Sequence, residues 1–260
     1  MKKKVSKFFI VIIFLAGLSL LLYPFVANQW NNHRQKQLIS SYEDNLTQLT
    51  EAGDIDYAKE LQKAQAYNDA LVPSILPDSF AVADAREEED STYMNCLNLT
   101  GDGMMGIVEI PKIAIKLPIY HGTEEKVLQS GVGHFEGTSL PIGGESTHAV
   151  LTGHRGLPSK LLFTDLDNLE KGDIFYIKVL GETFAYQVDQ ILTVLPENTK
   201  ELTIVPGKDY VTLVTCTPYA VNTHRLLVRG YRIPYEEAVE KVPDEKSAIG
   251  LPFQMKVLFI

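Results

Sequence analysis

A cysteine, a histidine and an arginine, each at the end of an apolar run, are the residues of this chain best suited to covalent chemistry. Cys216 closes the β-type run Tyr210-Val211-Thr212-Leu213-Val214-Thr215, and Arg225 heads the next one, Leu226-Leu227-Val228. Nine positions separate thiol from guanidinium, so neighbouring strands can hold them side by side with 217–224 as the connecting loop. Upstream, Ala149-Val150-Leu151-Thr152 leads into Gly153-His154-Arg155-Gly156 and sets His154 at a third strand end. A thiol attacks as its thiolate, and its unperturbed pKa of about 8.5 leaves little thiolate at neutral pH without a neighbouring cation. His154 is suited to supply that cation and to return a proton to a leaving amine. Arg225 is always charged and is suited to hold an oxyanion or the substrate backbone. Each residue alone also fits an ordinary role: a small buried thiol, a turn histidine, a strand-end surface charge. The three together point to acyl transfer. His224 adjoins Arg225, so strand alternation turns it to the opposite face and it is not expected to be the base. Thr215 has a hydroxyl for an oxyanion, or is simply a β-former.

Those motifs carry a resemblance. Thr212-Leu213-Val214-Thr215-Cys216, an arginine nine positions later, and Thr152-Gly153-His154-Arg155-Gly156 about sixty positions upstream resemble the active-site signature of the sortases, membrane-anchored cysteine transpeptidases of Gram-positive bacteria. The stretch Leu162-Phe163-Thr164-Asp165-Leu166-Asp167-Asn168-Leu169 fits as well, and the resemblance covers residues 106–235. It implies a closed β-barrel with Cys216 as nucleophile, His154 as general acid/base and Arg225 as oxyanion or substrate stabiliser, with no cofactor and no metal. Other features resemble the class C, pilus-building branch: the anchor exit around Tyr23-Pro24, and Tyr67-Asn68-Asp69-Ala70-Leu71. In that branch a lid with an Asp-Pro-aromatic motif covers the site. Here Asp78-Ser79-Phe80 matches at its outer positions, and Ser79 in place of proline leaves the segment less stiff.

The implied reaction is cleavage of an LPxTG-like sorting signal in a secreted pilin or surface protein through a Cys216 acyl-enzyme, resolved by a lysine of the next pilin. A housekeeping sortase that attaches proteins to peptidoglycan precursor, and a secreted cysteine endopeptidase, are the competing enzymatic readings. A tethered barrel acting as an assembly scaffold is the non-enzymatic one.

Composition bounds these readings. The 260 residues carry a net charge of −9, but Lys2, Lys3, Lys4 and Lys7 precede all the acids. The chain beyond residue 7 holds 20 basic and 33 acidic residues, a balance of −13. Such a chain does not suit nucleic acid, which needs clustered positive charge. The apolar run from Phe8 to Ala27 has the 20 residues a helix needs to cross a bilayer. The lysines before it put its N-terminal end in the cytoplasm and the rest outside, giving a single-pass cell-membrane protein. A cleaved signal peptide is the alternative, although the run is longer than the usual apolar core and lacks a small-x-small site at its end. Cys96 lies in a polar segment as a bystander thiol, and the six histidines show no ligand-like spacing.

The elements that must position the three residues follow in order. After the cytoplasmic residues 1–7 and the anchor 8–27, residues 28–71 read as an extracellular hairpin of two helices. Leu38, Tyr42, Leu46 and Leu49 form a stripe on the first, Gly53 breaks it, and Asp54 is placed to cap the second. Pro73 and Pro77 stop helical structure, so 72–105 is expected to be lid and linker. From residue 106 to 235 the texture is short strands between turns: 106–110, 115–119, 148–151, 173–179, 182–194, 210–215 and 226–233. Short helices are expected over 124–130 and 159–165. The fold class is therefore mainly β, a closed barrel with short helices behind an anchor and a helical hairpin. The tail 236–260 ends in twelve largely apolar residues with Lys256 among them, too few to span a bilayer.

Overall fold

In a computed structural model, residues 2–53, 55–71, 80 and 91–242 are described. Eight strands close into one barrel: β1 (Met104–Ile110), β2 (Ile115–His121), β3 (Val132–His134), β4 (Thr147–Thr152), β5 (Ile174–Val179), β6 (Glu182–Val194), β7 (Asp209–Thr217) and β8 (His224–Ile233), in the spatial order β1-β2-β3-β4-β7-β8-β6-β5. Closure leaves no free sheet edge. β2 with β3 and β4 with β7 run parallel, and the remaining pairs are antiparallel. Alternate residues of these strands fill the interior, among them Val108, Ile119, Leu151, Phe175, Ile177, Leu213 and Val228.

β3 was not expected: three residues with Gly133 at the centre are too short to show a period of two. The expected helix over 159–165 does not form. That segment is turns held by Phe163 and Leu166, both fully buried, and a 3-10 turn follows at Leu166–Asn168. Between β2 and β3 the helix expected over 124–130 forms as α4, Glu125–Leu128.

Helix α1 runs unbroken from Lys2 to Ala52, so anchor and first hairpin helix are one element. Its apolar part is exposed all round, with Ile13 70 % and Leu20 77 % accessible, and it is long and apolar enough to cross a membrane. Gly53 ends it at φ +76°, and α2 (Tyr57–Ala70) begins at Asp56, whose carboxylate accepts from Lys59 N–H at 3.0 Å. The cap is Asp56, not Asp54, which lies outside the described residues. Past Ala27, α1 docks on the barrel: Ile39 and Tyr42 bury against Met104 and Ile107, with Leu46 and Tyr120 at the edge. Lys116 pairs with Glu43 at 3.0 Å.

The region 91–105, expected to be loop, is built into the core instead. α3 (Ser91–Met94) places Tyr93, and Leu97 follows; both are fully buried. The Tyr93 hydroxyl accepts from Gly122 N–H at 3.0 Å, donates to His134 O at 3.1 Å and lies 2.9 Å from His134 Nδ1. The Tyr67–Leu71 motif has a matching task, since the buried Asn68 amide exchanges bonds with Leu140 N–H (2.7 Å) and C=O (3.3 Å). The stems on both sides of Phe80 are thus fastened to the barrel.

Candidate active site

β7 and β8 pair so that Cys216 and Arg225 are direct cross-strand partners, as are Thr217 and His224. Opposed residues of an antiparallel pair put their side chains on one face, so thiol and guanidinium share a side of the sheet. The strands extend further than expected, leaving 218–223 as the loop.

His154 arrives by a different route. β4 runs parallel to β7 in a register that sets Thr152 opposite Val214. Continued two residues past the strand end, that register would bring His154 alongside Cys216. Two bonds carry that alignment past the strand end: Gly153 N–H to Val214 O at 3.0 Å, and Thr215 Oγ1 to Gly153 O at 2.7 Å. The Thr215 hydroxyl is fully buried and committed to this bond, so it does not serve an oxyanion. Gly153 is required by packing, because a β-carbon there would meet the Phe163 ring at 2.7 Å. Phe163 N–H in turn donates to His154 O at 3.1 Å, which ties the 162–169 segment to the histidine.

The residues around the histidine were not legible in the sequence. His154 Nε2 lies 3.2 Å from Glu125 Oε2, and the other oxygen, Oε1, accepts from Gln129 Nε2 at 2.6 Å. Hydrogen bonding from Gln129, with a further contribution from His154, holds the Glu125 carboxyl below the usual carboxylate range. The i, i+4 spacing of Glu125 and Gln129 was the available signal, but it describes any helix surface. Arg155 is the other. Its side chain is 8 % accessible, and it donates to Thr217 Oγ1 at 3.1 Å and to the Asp167 carboxylate. It links the residue after His154 to the residue after Cys216. Its Nε is buried with no hydrogen-bond partner among the described residues.

Arg225 donates to the carbonyls of Asn222 (3.3 Å) and His224 (3.2 Å), and its guanidinium lies 4.8 Å from the Phe80 ring centroid. The same ring stands 6.0 Å from the His154 imidazole and packs on the Phe135–Val150–Val214–Leu227 cluster. Phe80 therefore touches two of the three expected catalytic groups. Asp78 lies outside the described residues. His224 bonds Thr223 Oγ1 at 2.9 Å. Cys96 is buried and, like Cys216, forms no disulfide.

Comparison with known proteins agrees with this architecture. The family model for the sortase domain matches residues 108–233. Sortase C-1 from Streptococcus pneumoniae is 49 % identical with a TM-score of 0.70, over 76 % of this chain and 99 % of that one. Sortase C1 from Streptococcus agalactiae is 51 % identical with a TM-score of 0.65, over 76 % and 98 %. Sortase A from Streptococcus agalactiae is 28 % identical over 240 residues, 88 % of this chain and 87 % of that protein. A barrel that brings a cysteine, a histidine and an arginine to one rim, matched this fully by class C structures, makes the chain a member of the sortase family of cysteine transpeptidases.

Proposed function

We propose that this protein is a membrane-anchored pilin polymerase in which Cys216 is the nucleophile, His154 the general acid/base and Arg225 the oxyanion or substrate stabiliser. The observation that carries the reading is the juxtaposition of β4, β7 and β8 ends: Cys216 is the direct cross-strand partner of Arg225, and Gly153, which precedes His154, is bonded to Val214 and Thr215 of β7. The Cys216 thiolate adds to the threonine carbonyl of an LPxTG-like signal, forming a C–S bond and an oxyanion that faces Arg225. The C–N bond to the next residue then breaks, and His154 gives its proton to the departing amine. A lysine ε-amine of an incoming pilin attacks the thioester, surrenders a proton to His154, and displaces Cys216 as thiolate. The product is an isopeptide bond.

Pilin as acceptor is favoured over peptidoglycan precursor by Phe80. A ring laid over Arg225 and His154 fits a lid that a substrate must displace, and the similar sortase C of Group B Streptococcus, 51 % identical, is described as pilus-related. The lysine-rich end of α1 faces the cytoplasm and the barrel lies outside.

The test is intact mass spectrometry of residues 31–260 with an LPxTG peptide and a lysine amine, in wild-type and Phe80→Ala forms. An adduct on Cys216 that the amine discharges as an amide supports transpeptidation. Hydrolysis without amide formation supports the endopeptidase instead, and turnover that survives Cys216→Ala refutes the assignment.

A further inference from the structure

One ring nitrogen of His154 is already engaged: Nε2 lies 3.2 Å from Glu125 Oε2. That carboxylate is held in its aim. Leu128, 2 % accessible, fastens α4 to the barrel, and Gln129 Nε2 donates to Glu125 Oε1 at 2.6 Å, which leaves Oε2 for the histidine. Gln129 is held in turn, since its carbonyl accepts from Lys160 Nζ. Glu124, one residue back, is placed otherwise. Its carboxylate folds over Gly122, where a β-carbon would meet Oε2 at 2.4 Å.

The direction of the contact follows from the acid. The bond from Gln129, and then the His154 charge and bond, hold Glu125 below the usual carboxylate range against the opposing pull of burial. An ionised carboxylate only accepts, so the proton between the two groups belongs to Nε2, and Nδ1 is the bare nitrogen of the neutral ring. The other charged groups near the imidazole are committed elsewhere or reach it indirectly. Arg155 is turned to Thr217 and Asp167, and Arg225 meets His154 only through the Phe80 ring that both contact. Cys216 lies near the end of β7, the strand to which the His154 turn is bonded.

We infer that Glu125 is the positioning residue of His154. It keeps the proton on Nε2, favours the imidazolium that accompanies a thiolate, and leaves Nδ1 to give a proton to the departing amine and take one from the incoming amine. The inference rests on His154 acting as general acid/base, as proposed above.

The test compares the full chain in detergent micelles as wild type, Glu125→Gln and Glu124→Gln. Both variants remove one negative charge at the start of α4, but only the first removes it from Nε2. The pH dependence of kcat/KM is followed with an LPxTG peptide and a lysine amine. In Glu125→Gln the alkaline limb, where the imidazolium is lost, should move down, because a lost anion weakens the charged form. The Glu125 side chain is 67 % accessible, so solvent screens the pair and the move should be about half a pH unit. At neutral pH kcat should fall about tenfold with KM within about twofold, and Glu124→Gln should match wild type throughout. In Cys216→Ala, where His154 titrates without the thiol, imidazole 15N shifts should show the neutral ring protonated at Nε2. Adding Glu125→Gln should move that titration down by the same amount. Equal effects in the two glutamate variants, an unmoved alkaline limb, undiminished kcat, or a neutral ring protonated at Nδ1 overturns the positioning role. His154→Gln separates this from the reading beneath it. Wild-type turnover there would remove the acid/base assignment and the inference together, whereas lost turnover there with an unmoved limb in Glu125→Gln refutes the role of Glu125 alone.

Discussion

Truncating Phe80 should uncover the thiol. The ring holds its place through two contacts that Phe80→Ala removes. Arg225 lies 4.8 Å from its centroid, a cation–π contact worth about 1 kcal/mol for partly exposed groups. Its other face packs on Phe135, Val150, Val214 and Leu227, and a half-buried phenyl ring contributes roughly half the 1.5–3 kcal/mol of full burial. Together these come to about 2 kcal/mol, a roughly 30-fold rise in the open fraction, since 1.4 kcal/mol is tenfold. When opening precedes reaction, iodoacetamide should alkylate Cys216 faster by that factor. Intact mass followed over time reads it, with Cys216→Ala as the blank and the 3 % exposed Cys96 silent on that timescale. The peptide-cleavage rate should rise in step. An alkylation rate within twofold of wild type, in a variant whose Tm is unchanged, would refute the capping role. A double-mutant cycle with Arg225→Lys should recover about 1 kcal/mol of coupling between ring and guanidinium.

Three further outcomes are expected. Arg225→Lys should lower kcat about 10²–10³-fold with a smaller change in KM, because a lysine cannot reproduce the guanidinium fork; stopped assays with saturating peptide check it. Arg155→Met should lower kcat about tenfold and slow Cys216 alkylation while leaving the protein folded, because the link between Thr217 and the His154 turn is lost; an unaltered rate would reduce Arg155 to packing. Acid should destabilise the fold. Burial pushes His134 down to about 3 and His148 to about 4, so both stay neutral when folded, whereas the unfolded chain protonates them near 6.5. Their contribution is complete above 6.5 and is lost as pH falls towards 4, at about 1.4 kcal/mol per pH unit for each histidine. Urea midpoints at pH 7.5 and 5 should show the drop, and His148→Gln should shallow it.

The proposed catalytic trio was legible because its members sit where apolar runs stop, and a period of two is easily read over Tyr210–Thr215 and Leu226–Val228. The direct pairing of Cys216 with Arg225 followed from a short loop between adjacent strands. The approach of the His154 turn to β7 did not. β4 lies beside β7 in space but about sixty residues away in sequence, and no local pattern records a parallel register. Asn68 and Tyr93 were hidden for a related reason. Each is a polar residue in a segment with no strand or long-helix pattern, and its burial becomes evident only when the Leu140 backbone or the His134 ring is brought to it.

The same topology explains why the site tolerates a histidine on an irregular turn. A loop residue is ordinarily free to drift, yet a proton acceptor must stay within an ångström or so of its place. Here the turn is held on every side that the chain offers. Gly153 is bonded in both directions to β7, the His154 carbonyl is bonded by Phe163, and Arg155 is bonded to Thr217 and Asp167. The imidazole itself has Glu125 at its Nε2 and the Phe80 ring near its face. In the proposed mechanism the bonds that fix the backbone survive substrate entry, while the Phe80 contact is one that substrate would replace. Rigid placement and a removable cover are therefore separate sets of contacts, so substitutions in the first should lower kcat and substitutions in the second should raise access to the thiol.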